Sequence, residues 1–436
     1  MTYQEALREI SSFLRFGVRP GLERISRLLS LLGNPQNTLR FVHVAGTNGK
    51  GSTCAMIASV LTKAGYRTGL YLSPYILDFR ERMQIDGEMI PKEDLARLVE
   101  KVLPLVRKME RDGEIITEFE FITALAFCWF SERGCDAVVL EVGLGGRFDA
   151  TNVIGTPLVS VLAAISLDHM KILGDTVDKI AFEKCGIIKE NGTTVVFADQ
   201  KPEAMEVIRR TAKERSNRLL IADPAMFTGV SSNLHGTDFT YEDTRIHMSL
   251  IGGHQVKNAA AAVTALEVLR EKGFSLPAEK IRAGFASVRF PARLELLCGS
   301  PVVLLDGAHN PNGTAALAAA IRKYLPGRKI VAVMGMLADK DVRSAIRELD
   351  GLFSQVVTLT PDNPRAMDAE TLAGLWRGLS VRAGAAKTDE AALEQALSCA
   401  GPDGAVVICG SLYLAARLRP AALKILQNKG LSANFE

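Results

Sequence analysis

Apolar positions along the chain follow two different periods. Leucine and isoleucine recur at helical spacing over 1–17 and again over 21–35, where Gly33 and Pro35 stop the pattern. Residues 39–45 (LRFVHVA) change to a short β-branched run, and 52–65 (STCAMIASVLTKAG) return to a helical period ending at Gly65. Further short apolar runs at 68–73, 137–142, 158–164 and 193–198 predict strands, and 93–109, 119–134 and 202–216 predict helices between them. Buried strands alternating with helices imply an α/β fold, with a mainly parallel sheet covered on both faces.

A second series starts at residue 301. Strands are predicted at 301–306, 329–335, 355–359 and 404–410. Helices are predicted at 312–325 and 341–349, with two more before the last strand. The proline- and arginine-containing stretch around 287–300 separates the two series. The expected organisation is a first domain over 1–290, a linker over 291–300 and a second domain over 301–436, as suits a chain of 436 residues.

Charge excludes more than it proposes. The 52 basic and 49 acidic residues are well mixed, so nothing in the balance favours nucleic acid or an anionic membrane as partner. Seven cysteines (54, 128, 135, 185, 298, 399 and 409) show no paired spacing and fall mostly in apolar runs, which predicts reduced thiols in a cytoplasmic protein. The charged amphipathic start differs from a signal peptide, and no apolar run is long enough to span a bilayer.

Candidate chemistry lies where predicted strands end. The stretch HVAGTNGKGSTCAM (43–56) runs strand, glycine-rich loop, helix, as in a phosphate-binding loop, but Gly51 stands between Lys50 and Ser52. Its glycines let backbone N–H groups approach phosphate oxygens, the helix start adds its dipole, and Lys50 supplies charge. EVGLGGRFDATN (141–152) puts Glu141 at a strand end with Asp149 in the following turn, and SLDHMKILGDT (166–176) puts Asp168 and His169 at another. Carboxylates there point into the crevice where open α/β sheets bind ligands. IAFEKCGIIK (180–189) adds Lys184 and Lys189, and DGAHNPNG (306–313) offers Asp306 and His309. HQVKNAAAAV (254–263) and RFPARLE (289–295) add Asn258 and Arg293. Singly, each has a plain alternative: a solvated strand-end acid, a packing asparagine, a turn cap or an exposed linker arginine.

Together, GTNGKGS, YLSPYI, ERMQIDG, TEFEFITA, EVGLGGRFDATN, LDHMKILGDT, EKCGIIK, HQVKNAAAA, RLE, DGAHNPNG and GSLYLA resemble the folylpolyglutamate synthase/dihydrofolate synthase branch of the Mur ligases, in family order over almost the whole chain. The resemblance makes the glycine after Lys50 the folate branch's own spelling of its loop. It implies a P-loop NTPase-like first domain and a smaller Rossmann-like second domain that ligates glutamate.

The resemblance also implies roles for matching positions. Asn48, Gly49, Lys50, Gly51, Ser52, Asn258, Arg293 and Asp306 would contact ATP, and His309 would join the same cleft in a catalytic role. Ser73, Glu141, His169 and Lys184 would ligate one or two Mg²⁺ ions, Lys184 as a carbamate. Gly21, Leu22 and Glu23, with Thr117, Glu118, Phe119 and Glu120 and with Phe148, Asp149 and Ala150, would contact the pterin-bearing substrate. The family motif often reads PGRLE; here Ala292 replaces the glycine, which is expected to cost loop freedom and little else. The implied protein is a cytoplasmic monomer acting on folate or dihydropteroate, L-glutamate and ATP. A Mur-type cell-wall ligase and a nucleotide-cycling ATPase remain as other readings.

Overall fold

The structure, a computed structural model, describes residues 1–17 and 19–431. Its contacts group into two compact units. One holds residues 1–228, 240–246 and 257–288, and the other holds 229–239, 247–256 and 289–436.

The first unit is organised on an eight-stranded sheet. Its strands are β1 (Phe41–Ala45), β2 (Thr68–Tyr71), β3 (Met83–Ile85), β4 (Glu88–Met89), β5 (Ala137–Glu141), β6 (Val159–Leu162), β7 (Thr193–Val196) and β8 (Arg218–Ile221), in the order β4-β3-β2-β5-β1-β6-β7-β8. From β2 to β8 all pairings are parallel; β3 and β4 add an antiparallel edge. The edge hairpin turns at Asp86 and Gly87, with φ of 55° and 86°. That is the left-handed pair a two-residue hairpin loop needs. All five residues of β1 are buried, as expected of a strand covered on both faces.

Helices 3–12, 23–31, 92–111 and 118–132 build the core on one side, where Phe13, Phe121, Phe127 and Phe130 pack. Helix Glu118–Glu132 is buried over almost its whole circumference, which explains a sequence too apolar to show an amphipathic period. Farther along the same face, beside β6 and β7, Ile180, Ile187, Ile208 and Val207 form a second cluster under helices Val177–Lys184 and Pro202–Glu214.

Strands β9 (Thr228–Asn233), β10 (Gly236–Tyr241) and β11 (Thr244–Met248) form a separate three-stranded sheet in a region where the sequence pattern predicts no strand. The second unit contains β12 (Glu295–Gly299), β13 (Val302–Leu305), β14 (Ile330–Met334), β15 (Gln355–Thr358), β16 (Arg382–Ala385) and β17 (Ala405–Cys409). Their order is β12-β13-β17-β14-β15-β16, parallel except for β12. Residues 295–299, expected to be connecting chain, are thus an edge strand pairing antiparallel with β13. Among the described residues no cysteine is in a disulfide, and no helix is long and apolar enough to cross a membrane.

Helices Lys50–Lys63 and Ala278–Ser287 touch where Gly284 faces Val60: a Cβ on Gly284 would lie 2.5 Å from Val60 Cα. The Gly284 carbonyl also accepts the Ser59 hydroxyl at 2.8 Å. Gly284→Leu is therefore expected to separate the helix that follows the phosphate loop from its support, at about 1–3 kcal/mol for overpacking. A lower denaturant midpoint at unchanged slope would show it.

Candidate active site

Strand β1 sits between β5 and β6, with Val44 abreast of Glu141 and Ala45 abreast of Leu162. The glycine-rich loop, the Glu141 carboxylate and the chain following β6 thus leave the sheet on one rim. The loop is tied to the chain after β6: Thr47 N–H and Asn48 N–H donate to Ala164 O at 2.7 and 3.2 Å, and Thr47 Oγ1 donates to Ser166 O at 3.0 Å. Gly49 takes φ 85° at the cap of helix Lys50–Lys63. A side chain there would also collide with Asn258, whose Oδ1 would lie 2.5 Å from the added Cβ. The loop and Asn258, expected to share a nucleotide, are therefore in contact. Lys50 folds back so that Nζ donates to Thr47 O at 3.3 Å.

Lys184 reaches the same loop from the end of helix Val177–Lys184. It is 4% exposed, and its Nζ donates to Gly46 O at 2.8 Å. Burial, then the charge of Lys50, lowers its pKa to about 7. Gly146 and Gly186 let the surrounding chains close over this corner. A Cβ on Gly146 would lie 2.8 Å from Lys184 O, and one on Gly186 would lie 2.2 Å from Arg147 Cα.

Ser73 follows β2, and its N–H donates to Glu141 Oε2 at 3.0 Å. Its Oγ is buried without a hydrogen-bond partner, an arrangement that suits a ligand oxygen beside a carboxylate. Hydroxyl and carboxylate oxygens are the donors Mg²⁺ takes, so this pair fits that ion. His169 stands apart from that buried pair in character: it is exposed, adopts φ 50° at the start of the turn Met170–Leu173, and has its N–H held by Asp168 Oδ1 at 2.8 Å. Among the described residues no three His, Cys, Asp or Glu side chains form a metal cluster.

Two of the three segments expected around the pterin substrate are joined by a side-chain ion pair. Leu22 caps helix Glu23–Leu31, whose Arg24 pairs with Glu120 (Nη2 to Oε1, 3.1 Å). Phe119 lies over Gly143, where a Cβ would be 2.5 Å from its ring. Within this group the side chains face different ways. Phe148 is 50% exposed, whereas Glu120 and Asp149 are buried and turned to the backbone. Glu120 Oε2 accepts Thr117 N–H and Oγ1 at 2.8 and 2.9 Å, closing a capping box with Thr117. Asp149 accepts Thr151 N–H and Leu144 N–H at 3.0 and 2.8 Å; Thr151 Oγ1 also meets the fully buried His43 Nε2 at 2.9 Å. Burial pushes the Asp149 pKa up and that of His43 down to about 3, so the imidazole is neutral.

One residue lies in a quoted motif to which the sequence reading gave no role. Arg82 is buried, with its Nε lacking a partner, near the rings of Tyr75 and Phe79. Its charge opposes the upward push that burial gives the Glu118 pKa. Its neighbours in sequence, Arg80 and Glu81, make a charged stretch that gave no sign of burial.

In the second unit Asp306 ends β13, and it is also turned to the backbone. Its Oδ2 accepts Leu294 N–H and its Oδ1 accepts Ala308 N–H, both at 2.8 Å. Burial raises its pKa against the lowering charge of Arg293. His309 Nδ1 meets Gly307 O at 2.9 Å, and Asn310 caps helix Pro311–Tyr324. Ala292 has φ 54° and Leu294 φ 50°, so the turn holding Arg293 has two left-handed non-glycine residues. Ala292 therefore carries real backbone strain, about 1–2 kcal/mol, beyond the loss of freedom expected of it.

Family models match both halves: the Mur ligase middle domain over residues 44–266 and the Mur ligase glutamate ligase domain over residues 292–412. That defines the class as Mur ligase. Within it, the chain belongs to the folylpolyglutamate synthase/dihydrofolate synthase family. It is 38% identical to the dihydrofolate synthase/folylpolyglutamate synthase of Bacillus subtilis, over 96% of this chain and 98% of that one. It is 39% identical to the folylpolyglutamate synthase of Lacticaseibacillus casei, over 97% and 99%. A crystal structure of Mycobacterium tuberculosis folylpolyglutamate synthase complexed with ADP and AMPPCP superposes with a TM-score of 0.88 at 34% identity, covering 96% of this chain and 99% of that chain.

The Asp149 contacts set a measurable cost. Asp149→Ala removes the acceptor for two backbone N–H groups beside the Glu141 turn, and is expected to cost about 2 kcal/mol. Equilibrium urea unfolding measures it, and a loss below about 0.5 kcal/mol would mean that the turn holds without its carboxylate.

Proposed function

We propose that this protein is an ATP-dependent ligase that joins L-glutamate to the carboxylate of a folate, extending its glutamyl tail, and that it also joins glutamate to dihydropteroate. The reading includes action in the cytoplasm as a monomer. The observation that carries it is the meeting of a phosphate loop, the Ser73–Glu141 pair and the buried Lys184 amine within one unit of a chain in this family. In it, residues 1–290 bind ATP and the folate, and residues 301–436 supply the glutamate ligase half.

A carboxylate oxygen is a poor leaving group. The proposed route moves the γ-phosphoryl group of ATP to a carboxylate oxygen of the folate, which forms an acyl phosphate and releases ADP. The glutamate nitrogen then attacks the acyl carbon, the bond from carbon to the phosphate oxygen breaks, and phosphate leaves as the nitrogen gives up its proton. Loop residues Asn48 to Ser52 hold the phosphates in place, and Lys50 offsets charge on the transferred group. Mg²⁺, held by Ser73, Glu141, His169 and a carbamylated Lys184, would neutralise phosphate charge and orient the triphosphate. Asn258, and Arg293, Asp306 and His309 from the second unit, complete the ATP contacts in this reading. Because Asp306 already accepts two backbone N–H groups, its contribution rests on its remaining lone pairs. The Arg24–Glu120 pair ties 21–24 to 117–120, two of the segments that this reading places around dihydropteroate as a second acceptor. Arg82 is suited to a substrate oxygen in the same region.

Substrates labelled with ¹⁸O in the folate carboxylate test the route: one label should appear in the released phosphate, and unlabelled phosphate would exclude an acyl phosphate. Phosphate release should require folate and glutamate together, and Lys50→Ala should abolish turnover while leaving the unfolding midpoint unchanged. Incubation with dihydropteroate, ATP and glutamate should yield dihydrofolate. Extension of a reduced monoglutamyl folate without dihydrofolate formation would leave polyglutamylation alone.

Carbamylation has its own pH signature. Only the neutral amine attacks CO₂, and burial places the Lys184 pKa at about 7, below its unfolded value, so the reactive form grows as pH rises through about 7. With ¹³C-bicarbonate, a carbamate carbon signal should strengthen over that range and be absent from Lys184→Ala. A signal that is unchanged by the substitution, or no signal at all in the ATP-bound protein, would remove the carbamate.

A further inference from the structure

We propose that Glu295 and Arg419 act as positioning residues for Arg293, fixing its guanidinium through a two-sided clamp on the turn that carries it. The proposal rests on the reading of Arg293 as an ATP contact and adds the groups that determine whether it can make that contact.

Turn 292–294 cannot hold its shape by backbone preference. Ala292 and Leu294, on either side of Arg293, both occupy the left-handed region, at φ 54° and 50°. Non-glycine residues stay there only when the surroundings over-determine them. Two carboxylates do so here. On one side Leu294 N–H donates to Asp306 Oδ2 at 2.8 Å, and Gly307 N–H donates back to Ala292 O at 2.9 Å. On the other, Ala292 N–H donates to Glu295 Oε2 at 3.0 Å.

Glu295 is itself held. Arg419 Nε meets its Oε1 and Oε2 at 2.9 and 3.0 Å, and Arg419 Nη2 meets Oε1 at 2.6 Å. Both side chains are mostly buried, 23% and 14% exposed, which sets this fork apart from ordinary solvated surface pairs. Arg419 comes from helix Leu412–Asn428, far along the chain, and Glu295 begins the edge strand β12, opposite Leu305 of β13. Arg419 thus fastens the turn to the sheet end that bears Asp306. Arg293 itself lies over Gly307, where a Cβ would be 2.7 Å from its Nη1, and its guanidinium is 5.4 Å from the Phe290 ring centre. Arg293 Nη1 also donates to Ala292 O at 3.2 Å, so a rotation of the turn carries the guanidinium with it.

The test is steady-state kinetics of Arg293→Ala, Glu295→Gln, Arg419→Ala, Arg419→Lys and the double variant Arg293→Ala/Arg419→Ala. Glu295→Gln and Arg419→Ala should each raise the KM for ATP roughly tenfold and leave the folate KM within about twofold, with Arg419→Lys in between because a point charge cannot replace the fork. In the Arg293→Ala background, adding Arg419→Ala should change the ATP KM by less than about twofold, because the position it serves is gone. If Arg293→Ala raises the ATP KM but Glu295→Gln and Arg419→Ala do not, the clamp is structural only and the proposal fails. Multiplying effects in the double variant also overturn it, including where Arg419→Ala lowers stability. An unchanged ATP KM in Arg293→Ala removes the ATP reading of Arg293, and the clamp's function with it.

Discussion

Strand β1 is closed on both faces and paired on both edges, and this constraint orders the first unit. None of its side chains reaches solvent, so the strand can deliver chemistry only at its end. There the chain turns outward at Gly46 and Gly49, the Thr47 and Asn48 N–H groups are taken by Ala164 O, and the loop passes into the helix beginning at Lys50. The neighbours β5 and β6 end abreast of it, which brings Glu141 to the rim and lets the chain after β6 brace the loop through Ala164 and Ser166. The helix beginning at Lys50 then needs support, and Gly284 supplies it by allowing direct backbone contact at Val60.

Burial near that rim sorts the cationic groups. His43, inside β1, loses its proton to desolvation and serves as a neutral partner to Thr151. Lys184 keeps one hydrogen bond, to Gly46 O, and has its charged form disfavoured by the same cause, reinforced by Lys50. A lysine held in that condition is poised between cation and nucleophile near neutral pH, which is the property a carbamate requires. Lys50, half-buried at the helix start, donates to Thr47 O within the loop.

The parallel cores were legible because a strand buried on both faces reads as a continuous apolar run, and β1, β5, β6, β13, β14 and β17 all do. The loop and its helix followed from the same pattern plus three glycines. What stayed hidden had weaker or mixed signals. Strand β9 is almost wholly exposed (TGVSSN) and β12 spans a bulge after a proline-containing turn, so neither shows a period. The β3–β4 hairpin also went unpredicted: its strands are too short for an apolar run, although Asp86–Gly87 within ERMQIDG is a turn signal. At the site, motif order located the right segments, but no spacing could tell which way each side chain turns once packed. Glu120 and Asp149 are adjacent to exposed Phe148 and half-buried Glu118, yet point to the backbone.

That inward turn recurs in both units. Glu120 closes a helix cap, Asp149 holds the turn after β5, and Asp306 holds the turn after β13, each with an oxygen on backbone N–H groups. A turn leaving a parallel strand exposes N–H groups that no ladder satisfies, and a buried carboxylate accepts several of them at once. The cost of burying its charge is offset only if those bonds stay short, so the carboxylate makes the turn rigid as well as satisfied. Acidic residues in motifs of this kind therefore have two separable uses. Glu141 meets Ser73 N–H beside an unpartnered hydroxyl, at a place where an ion fits; Asp149 and Asp306 shape the backbone that presents such groups. Motif letters alone merge the two, and hydrogen-bond partners divide them.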